Sequence, residues 1–243
     1  MWRVLLGLVL LAQPIAATAQ DCVVLLHGLG RGPLSMWLLA ARLEDAGYAV
    51  ETPAYPSRAA PIAALVGVVD TGLAACRAAG RAPVHFVGHS LGGMLVRLRF
   101  ADAVPADVGR LVMIAPPNGG SEIADRARGR WWYRAMTGQA GQELGTDPSA
   151  LPRRLGAPRL EVGVIAGTVS LEPWFSAWLP GPDDGKVAVS RTRLDGMRDF
   201  LTVPHGHTFI MNGADVARAT IAFLRTGRFD PGPGARAMST IPP

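Results

Sequence analysis

The sequence predicts an α/β domain: a mostly parallel central sheet with helices on both faces and a small helical and aromatic cap insertion. Three observations predict it. Short, continuous apolar runs, the pattern of strands buried on both faces of a parallel sheet, alternate with stretches of helical length. The alternation is the signature of βαβ units joined by right-handed crossovers. At 243 residues and 49 % hydrophobic, the chain is long enough for one sizeable core, and a single domain uses all of it.

In chain order, Val23–Leu26 is the first apolar run and ends at His27-Gly28-Leu29-Gly30-Arg31-Gly32. A helical stretch from about Leu34 to Ala46 is stopped by Gly47, and Tyr48–Thr52 makes a second strand. A proline-rich loop leads to a long apolar helix from Pro61 to about Ala79. The third strand, Val84–Val87, stops at Gly88, and a helix runs from Leu91 to Ala103. Arg110–Ala115, Leu160–Ala166 and Asp199–Val203 read as further strands, and Ala214–Arg225 as the last helix. The tract 118–158 is the irregular one and carries Trp131-Trp132-Tyr133; a second aromatic group, Trp174-Phe175 and Trp178, follows later. These aromatics are expected either to form a lid or acyl pocket or to cover a satellite core. From Gly227 to Pro243 proline and glycine dominate, and that tail is expected to lack order.

Met1-Trp2-Arg3, the apolar Val4–Leu11 and the small-x-small Ala17-Thr18-Ala19 read as a secretory signal peptide over residues 1–19, leaving a mature domain over 20–226. An uncleaved anchor is the alternative, although the apolar run is shorter than a bilayer span. The expected location is therefore periplasmic or extracellular. In such an oxidising compartment the only two cysteines, Cys22 and Cys76, are expected to pair, with two buried free thiols as the alternative. Cys22 opens the first strand and Cys76 closes the helix before the third, so both belong at the same sheet edge. The net charge of +5 comes from scattered arginines, densest at Arg126, Arg128, Arg130 and Arg134. No nucleic-acid module accompanies them, so no nucleic-acid partner is expected and they read as a solvated helix face. A loose attraction to anionic membrane surfaces is compatible with them.

Gly88-His89-Ser90-Leu91-Gly92 carries the chemistry. A serine on so sharp a strand-to-helix turn is held in a strained conformation that only flanking glycines permit. Its hydroxyl then stands off the sheet end, beside the N–H groups of a helix N-terminus, as an acyl-transfer nucleophile requires. A short glycine motif is weak alone, and an ordinary turn with an incidental serine is the plain alternative. The partners decide. Serine needs a base, and the base an orienting carboxylate. Of five histidines, His27 and His89 belong to the loop and the turn, and His85 lies inside a buried strand as a satisfied core or edge residue. His205 and His207 remain, just past the last strand; His207 is favoured because it precedes the Thr208-Phe209 run into the final helix. The acid is expected between serine and histidine in chain order. Asp184, immediately before Gly185, is favoured over Asp183, a turn-capping candidate; Asp195 and Asp199 are more remote. The backbone N–H groups of Leu29 and Leu91 are the expected oxyanion donors.

On these residues the chain resembles the α/β-hydrolase superfamily, and within it exported bacterial esterases and lipases. The likeness spans most of the mature chain: His27-Gly28-Leu29-Gly30, the Gly88–Gly93 turn, Pro116 to Asp125, Asp184-Gly185-Lys186-Val187 and His207-Thr208-Phe209. What the resemblance implies is the α/β-hydrolase fold and a Ser–Asp–His enzyme acting on acyl-ester or lipid substrates through an acyl-enzyme. The insertion is short beside the lids of large lipases, and no calcium-ligand set is evident, so no metal or cofactor is expected. A thioesterase or acyltransferase would use the same three residues. A non-catalytic binding protein on the same fold would show a degraded site, whereas here every part is present in order.

Overall fold

The computed structural model describes residues 20–230 and the backbone of residues 236–237; the expected signal peptide lies outside the described residues. Seven strands form one sheet: β1 (Cys22–Leu26), β2 (Ala49–Glu51), β3 (Val84–His89), β4 (Val108–Ile114), β5 (Val162–Gly167), β6 (Asp199–Val203) and β7 (Arg236–Ala237). Their order is β2-β1-β3-β4-β5-β6-β7, and every pair is parallel except the last. Alternation divides each strand between two apolar layers. Val24 and Leu26 of β1, with Phe86 and Met113, face one layer; Val23 and Leu25, with Val87 and Val112, face the other. Both layers are buried, which explains why these strands are continuous apolar runs rather than alternating ones.

On the first face lie α2 (Ile62–Leu65), α3 (Gly67–Ala78) and α4 (Leu91–Arg99); on the second lie α1 (Trp37–Asp45) and α10 (Ala214–Thr226). The long helix expected from Pro61 to Ala79 is interrupted at Val66, where a tighter turn (Val69 N–H to Val66 O, 3.0 Å) spans Gly67. The helix expected to reach Ala103 stops at Arg99, because Phe100 leaves helical geometry and packs edge-on against Phe86 with ring centroids 5.4 Å apart. The insertion carries α5 (Glu122–Ala127), α6 (Trp131–Gln142) and α7 (Leu151–Arg154), and two short helices follow β5, α8 (Pro173–Ser176) and α9 (Val189–Thr192). Both ends of the insertion are tied to buried Arg97 of α4, which donates to Asn118 Oδ1 (3.1 Å) and to the carbonyls of Leu155 and Gly156. Burial pulls this guanidinium down to about 10.

The first residues of the tail expected to lack order, 227–230, are described and pack on the domain. Gly227 closes α10 in the left-handed region (φ 74°), and the chain beyond it folds back. Phe229 is buried against Phe223, and its N–H donates to Asp199 Oδ2 (2.8 Å). Arg236–Ala237 then pairs with β6 as the antiparallel edge. An apolar ring with a site on the core outweighs the disorder that glycine and proline favour. The rest of the tail lies outside the described residues.

Cys22 and Cys76 are joined by a disulfide at the edge where the strands begin, with Cα atoms 6.0 Å apart. It closes a segment of 54 residues, and loop-closure entropy gives such a link a stabilising ceiling of about 4 kcal/mol. Among the described residues no helix is long and apolar enough to cross a membrane.

Candidate active site

At the other edge, where strands end, β3 turns into α4 through Ser90. Its backbone sits at φ 51° and ψ −117°, a region that costs a non-glycine residue about 1–3 kcal/mol. The turn is held by Ser90 N–H to Ile114 O (2.8 Å) and Gly93 N–H to Ser90 O (3.1 Å). The glycines are space-filling necessities. A Cβ on Gly88 would lie 2.2 Å from Gly93 N, and one on Gly92 would lie 2.4 Å from Leu26 O. The serine is therefore thrust off the sheet end by a strand and a helix packed backbone to backbone.

Three expected residues meet here. Ser90 Oγ lies 3.1 Å from His207 Nε2, and His207 Nδ1 lies 2.7 Å from Asp184 Oδ2. Asp184 is buried, and its other oxygen accepts from the N–H groups of Lys186 (3.0 Å) and Val187 (2.8 Å). With these donors on Oδ1, the carboxylate leaves Oδ2 to receive Nδ1–H and fixes the tautomer in which Nε2 accepts the serine proton. The backbone repeats the tie: His207 N–H donates to Asp184 O (2.9 Å).

The alternatives fall elsewhere. Asp183 Oδ1 accepts from Ser176 Oγ (2.8 Å) and Gly185 N–H (2.7 Å), which makes it a turn-holding carboxylate. His205 Nε2 pairs with Asp215 Oδ1 (2.8 Å) at the start of α10. Asp195 is exposed, and Asp199 holds the chain at Phe200 and Phe229. His85 lies at the opposite edge, its Nδ1 accepting from Arg110 N–H (2.9 Å).

Two more imidazoles support the site. His89 is buried, and its Nε2–H donates to the carbonyl of His207 (3.0 Å). Burial, followed by the charge of His207, holds it well below the usual histidine range, so it stays neutral. His27 stacks on Tyr55 with centroids 4.1 Å apart and donates from Nδ1 to Gly28 O (3.0 Å); burial lowers it too. Both clamp backbone that carries or orients the site. Gly28 lies so close to this pair that a Cβ would sit 2.6 Å from His89 Nδ1.

Leu91 is the first residue of α4, where a helix leaves N–H groups without an intrahelical acceptor. Leu29 lies in the loop after β1, and both Leu29 and Ser90 line a cavity of about 310 Å³. Its wall is mainly apolar, with Ile123, Tyr133, Met136, Leu144 and Val187, and the insertion supplies all of these but Val187. The aromatics thus divide. Tyr133 lines the cavity, its hydroxyl donating to Gly141 O (3.1 Å) and pushed by burial up to about 12. Trp132, Phe175 and Trp178 pack on the core, and Trp131 and Trp174 are exposed.

The sequence assigns no role to three residues of this region, Arg31, Ser121 and Lys186. Arg31 donates from Nη2 to Thr208 O (3.2 Å), joining the loop after β1 to the loop that carries His207. Ser121 caps α5 and donates to Lys186 O (2.7 Å), joining the insertion to the acidic turn. Lys186 lines the cavity while pairing with Glu172 (2.7 Å) over the Phe175 ring. Their partners are mostly carbonyls far away in sequence, which no local motif signals.

A family model described as the alpha/beta hydrolase family matches residues 23–238. The chain belongs to the alpha/beta hydrolase family. Among solved structures, this family member is similar to the mature lipase BlEst2 of Bacillus licheniformis at 19 % identity and TM-score 0.68, covering 89 % of this chain and 96 % of that one. It is similar to phospholipase PlaB of Legionella pneumophila at 16 % identity and TM-score 0.62, covering 86 % of this chain and 57 % of that one. It is also similar to the metagenomic carboxyl esterase MGS0156 at 18 % identity and TM-score 0.61, covering 85 % and 74 %. At these identities the likeness is one of fold. No curated protein sequence matches the chain.

Proposed function

We propose that this family member is an exported serine hydrolase that cleaves carboxylic esters. The observation that carries the reading is the continuous chain from Ser90 Oγ through His207 to buried Asp184, at 3.1 and 2.7 Å. Each link has a chemical duty. His207 Nε2 takes the hydroxyl proton as Ser90 attacks the ester carbonyl, and Asp184 stabilises the imidazolium that forms. The N–H groups of Leu91 and Leu29 receive the oxyanion of the tetrahedral intermediate. His207 then protonates the departing alcohol, leaving an acyl-Ser90 ester. A water molecule, deprotonated by the same nitrogen, releases the acid and restores the serine. The apolar cavity supports an apolar acyl group, and the lipase, phospholipase and esterase among its structural neighbours support ester chemistry. The apolar run and small-residue site at the N-terminus support export.

The test is hydrolysis of p-nitrophenyl esters from short to long acyl chains. Turnover with an optimum at intermediate or long chains is the expected result, and it falls to background in Ser90→Ala. A wild type that turns over acyl thioesters, or alcohol acceptors in place of water, and no oxygen ester would overturn the ester assignment.

A further inference from the structure

The loop after β1 lines two cavities. One is the apolar cavity at Ser90; the other is a notch of about 250 Å³ lined by Gly30, Arg31, Tyr55, Ser57 and Arg58. Arg31 belongs to the wall of both. No aspartate or glutamate lines either space. Among the described residues neither Arg31 nor Arg58 makes an ion pair, whereas Arg77, Arg99, Arg110 and Arg191 each hold a carboxylate. Arg31 spends one Nη2 hydrogen on Thr208 O and lies over the Phe209 ring, and its buried Nε has no hydrogen-bond partner among the described residues. Arg58 reaches only Ala135 O, at 3.5 Å. Ser57 is buried, and its Oγ accepts from Gly30 N–H (3.0 Å), which leaves the hydroxyl hydrogen to donate.

Two guanidinium groups and a hydroxyl donor without an acidic neighbour form a place for an anion. Arg31 links that place to the reacting serine. We propose that this notch binds an anionic group, in chemical class a phosphate, carried on the alcohol part of the ester. The proposal rests on the ester-hydrolase reading above and names its substrate class: amphiphiles with an apolar acyl chain and a negatively charged alcohol. The sides follow from the linings. The acyl chain takes the cavity walled by Ile123, Met136, Leu144 and Val187, so the alcohol takes the arginine side. The surroundings suit an amphiphile too. Leu34, Trp131 and Leu171, 83, 81 and 75 % exposed, stand on the connections that follow β1, β4 and β5, the strands whose C-terminal ends face the site. In the reaction only the acyl carbon–oxygen bond breaks. The alcohol leaves with its phosphate intact and a proton from His207, and water supplies the hydroxyl of the released acid.

The experiment compares 1-decanoylglycerol with 1-decanoylglycerol 3-phosphate, both below their aggregation concentrations. The expected kcat/KM ratio favours the phosphate ester by about tenfold or more and falls with added salt. Arg31→Gln and Arg58→Gln each collapse the ratio toward one, and Arg58→Lys retains part of it. A wild-type ratio of one or below, or a preference that survives both glutamine substitutions, overturns the proposal. Inorganic phosphate that inhibits the neutral ester while the phosphate ester gains nothing would assign the notch to a free anion, and also overturns it. Failure of the underlying reading looks different: Ser90→Ala would then hydrolyse both esters as fast as wild type.

Discussion

Two histidines of one loop, two residues apart, each meet an aspartate from elsewhere in the chain. His207 and Asp184 approach to 2.7 Å, His205 and Asp215 to 2.8 Å. The separations are nearly equal, but His207 uses Nδ1 and His205 uses Nε2, and the settings differ. The Asp184 side chain is 0 % exposed and that of His207 12 %, against 28 % for Asp215 and 33 % for His205. His207 spends its second nitrogen on Ser90, whereas His205 fastens the loop to the first turn of α10. A histidine–carboxylate contact therefore does not identify a catalytic base. The proposal that His207 is the base rests on its second ring nitrogen, aimed at Ser90, and on a carboxylate removed from water so that its charge is felt.

The largest expected effect is at the buried pair. Asp184→Asn keeps the shape but allows the wrong imidazole tautomer, and kcat is expected to fall by roughly 10³–10⁴-fold with p-nitrophenyl esters. Asp183→Asn, one residue away, is expected to lose less than about tenfold, because its carboxylate holds a turn and not the base. Equal losses would undo the choice between them. At the second pair, His205→Asn and Asp215→Asn are expected to lower kcat by only a few-fold and to lower Tm by a few degrees. A loss from His205→Asn as deep as that from His207→Asn would place the base at the wrong histidine.

Titration sharpens the contrast between these pairs and the buried imidazoles. His27, His85 and His89 are all held below the ordinary histidine range, chiefly by burial. Below about pH 6.5 the unfolded chain takes up protons there that the folded chain refuses, so stability falls as pH drops from 7. Each such histidine contributes a slope of at most about 1.4 kcal/mol per pH unit between its unfolded and folded values. Replacing His89 with Gln is expected to remove one such slope in denaturant titrations between pH 7 and 5; an unchanged slope would mean that His89 charges in place. The smallest effect belongs to Asp215. Burial raises it, but the hydrogen bond and charge of His205 outweigh burial and lower it overall. Its contribution is present above about pH 4 and is lost as pH falls through the folded value, and at this exposure it is expected to be under about 1 kcal/mol. Comparing acid unfolding of Asp215→Asn with that of wild type measures it.

Much of this was legible in the sequence, for identifiable reasons. Strands buried on two faces cannot alternate, so β1, β3 and β4 announce themselves as apolar runs. Ser90 was legible because its turn permits no side chain at Gly88 or Gly92. The choice between Asp183 and Asp184 was harder, because neighbours in one turn send carboxylates to different partners, Ser176 and Gly185 for one and His207 for the other. The fold-back at Phe229 went unread because its cause is a distant contact with Phe223 and Asp199. Arg31 and Arg97 went unread because they bind carbonyl groups, which every residue carries.

The central claim is that Ser90, activated by His207, is the nucleophile, and covalent trapping tests it most directly. Wild-type protein and Ser90→Ala are treated with a p-nitrophenyl alkylphosphonate and weighed intact, and the modified peptide is then sequenced. The account predicts one adduct in wild type, on Ser90, forming as ester hydrolysis is lost, and none in the variant. An adduct on another residue, or ester hydrolysis that survives in Ser90→Ala, would contradict it.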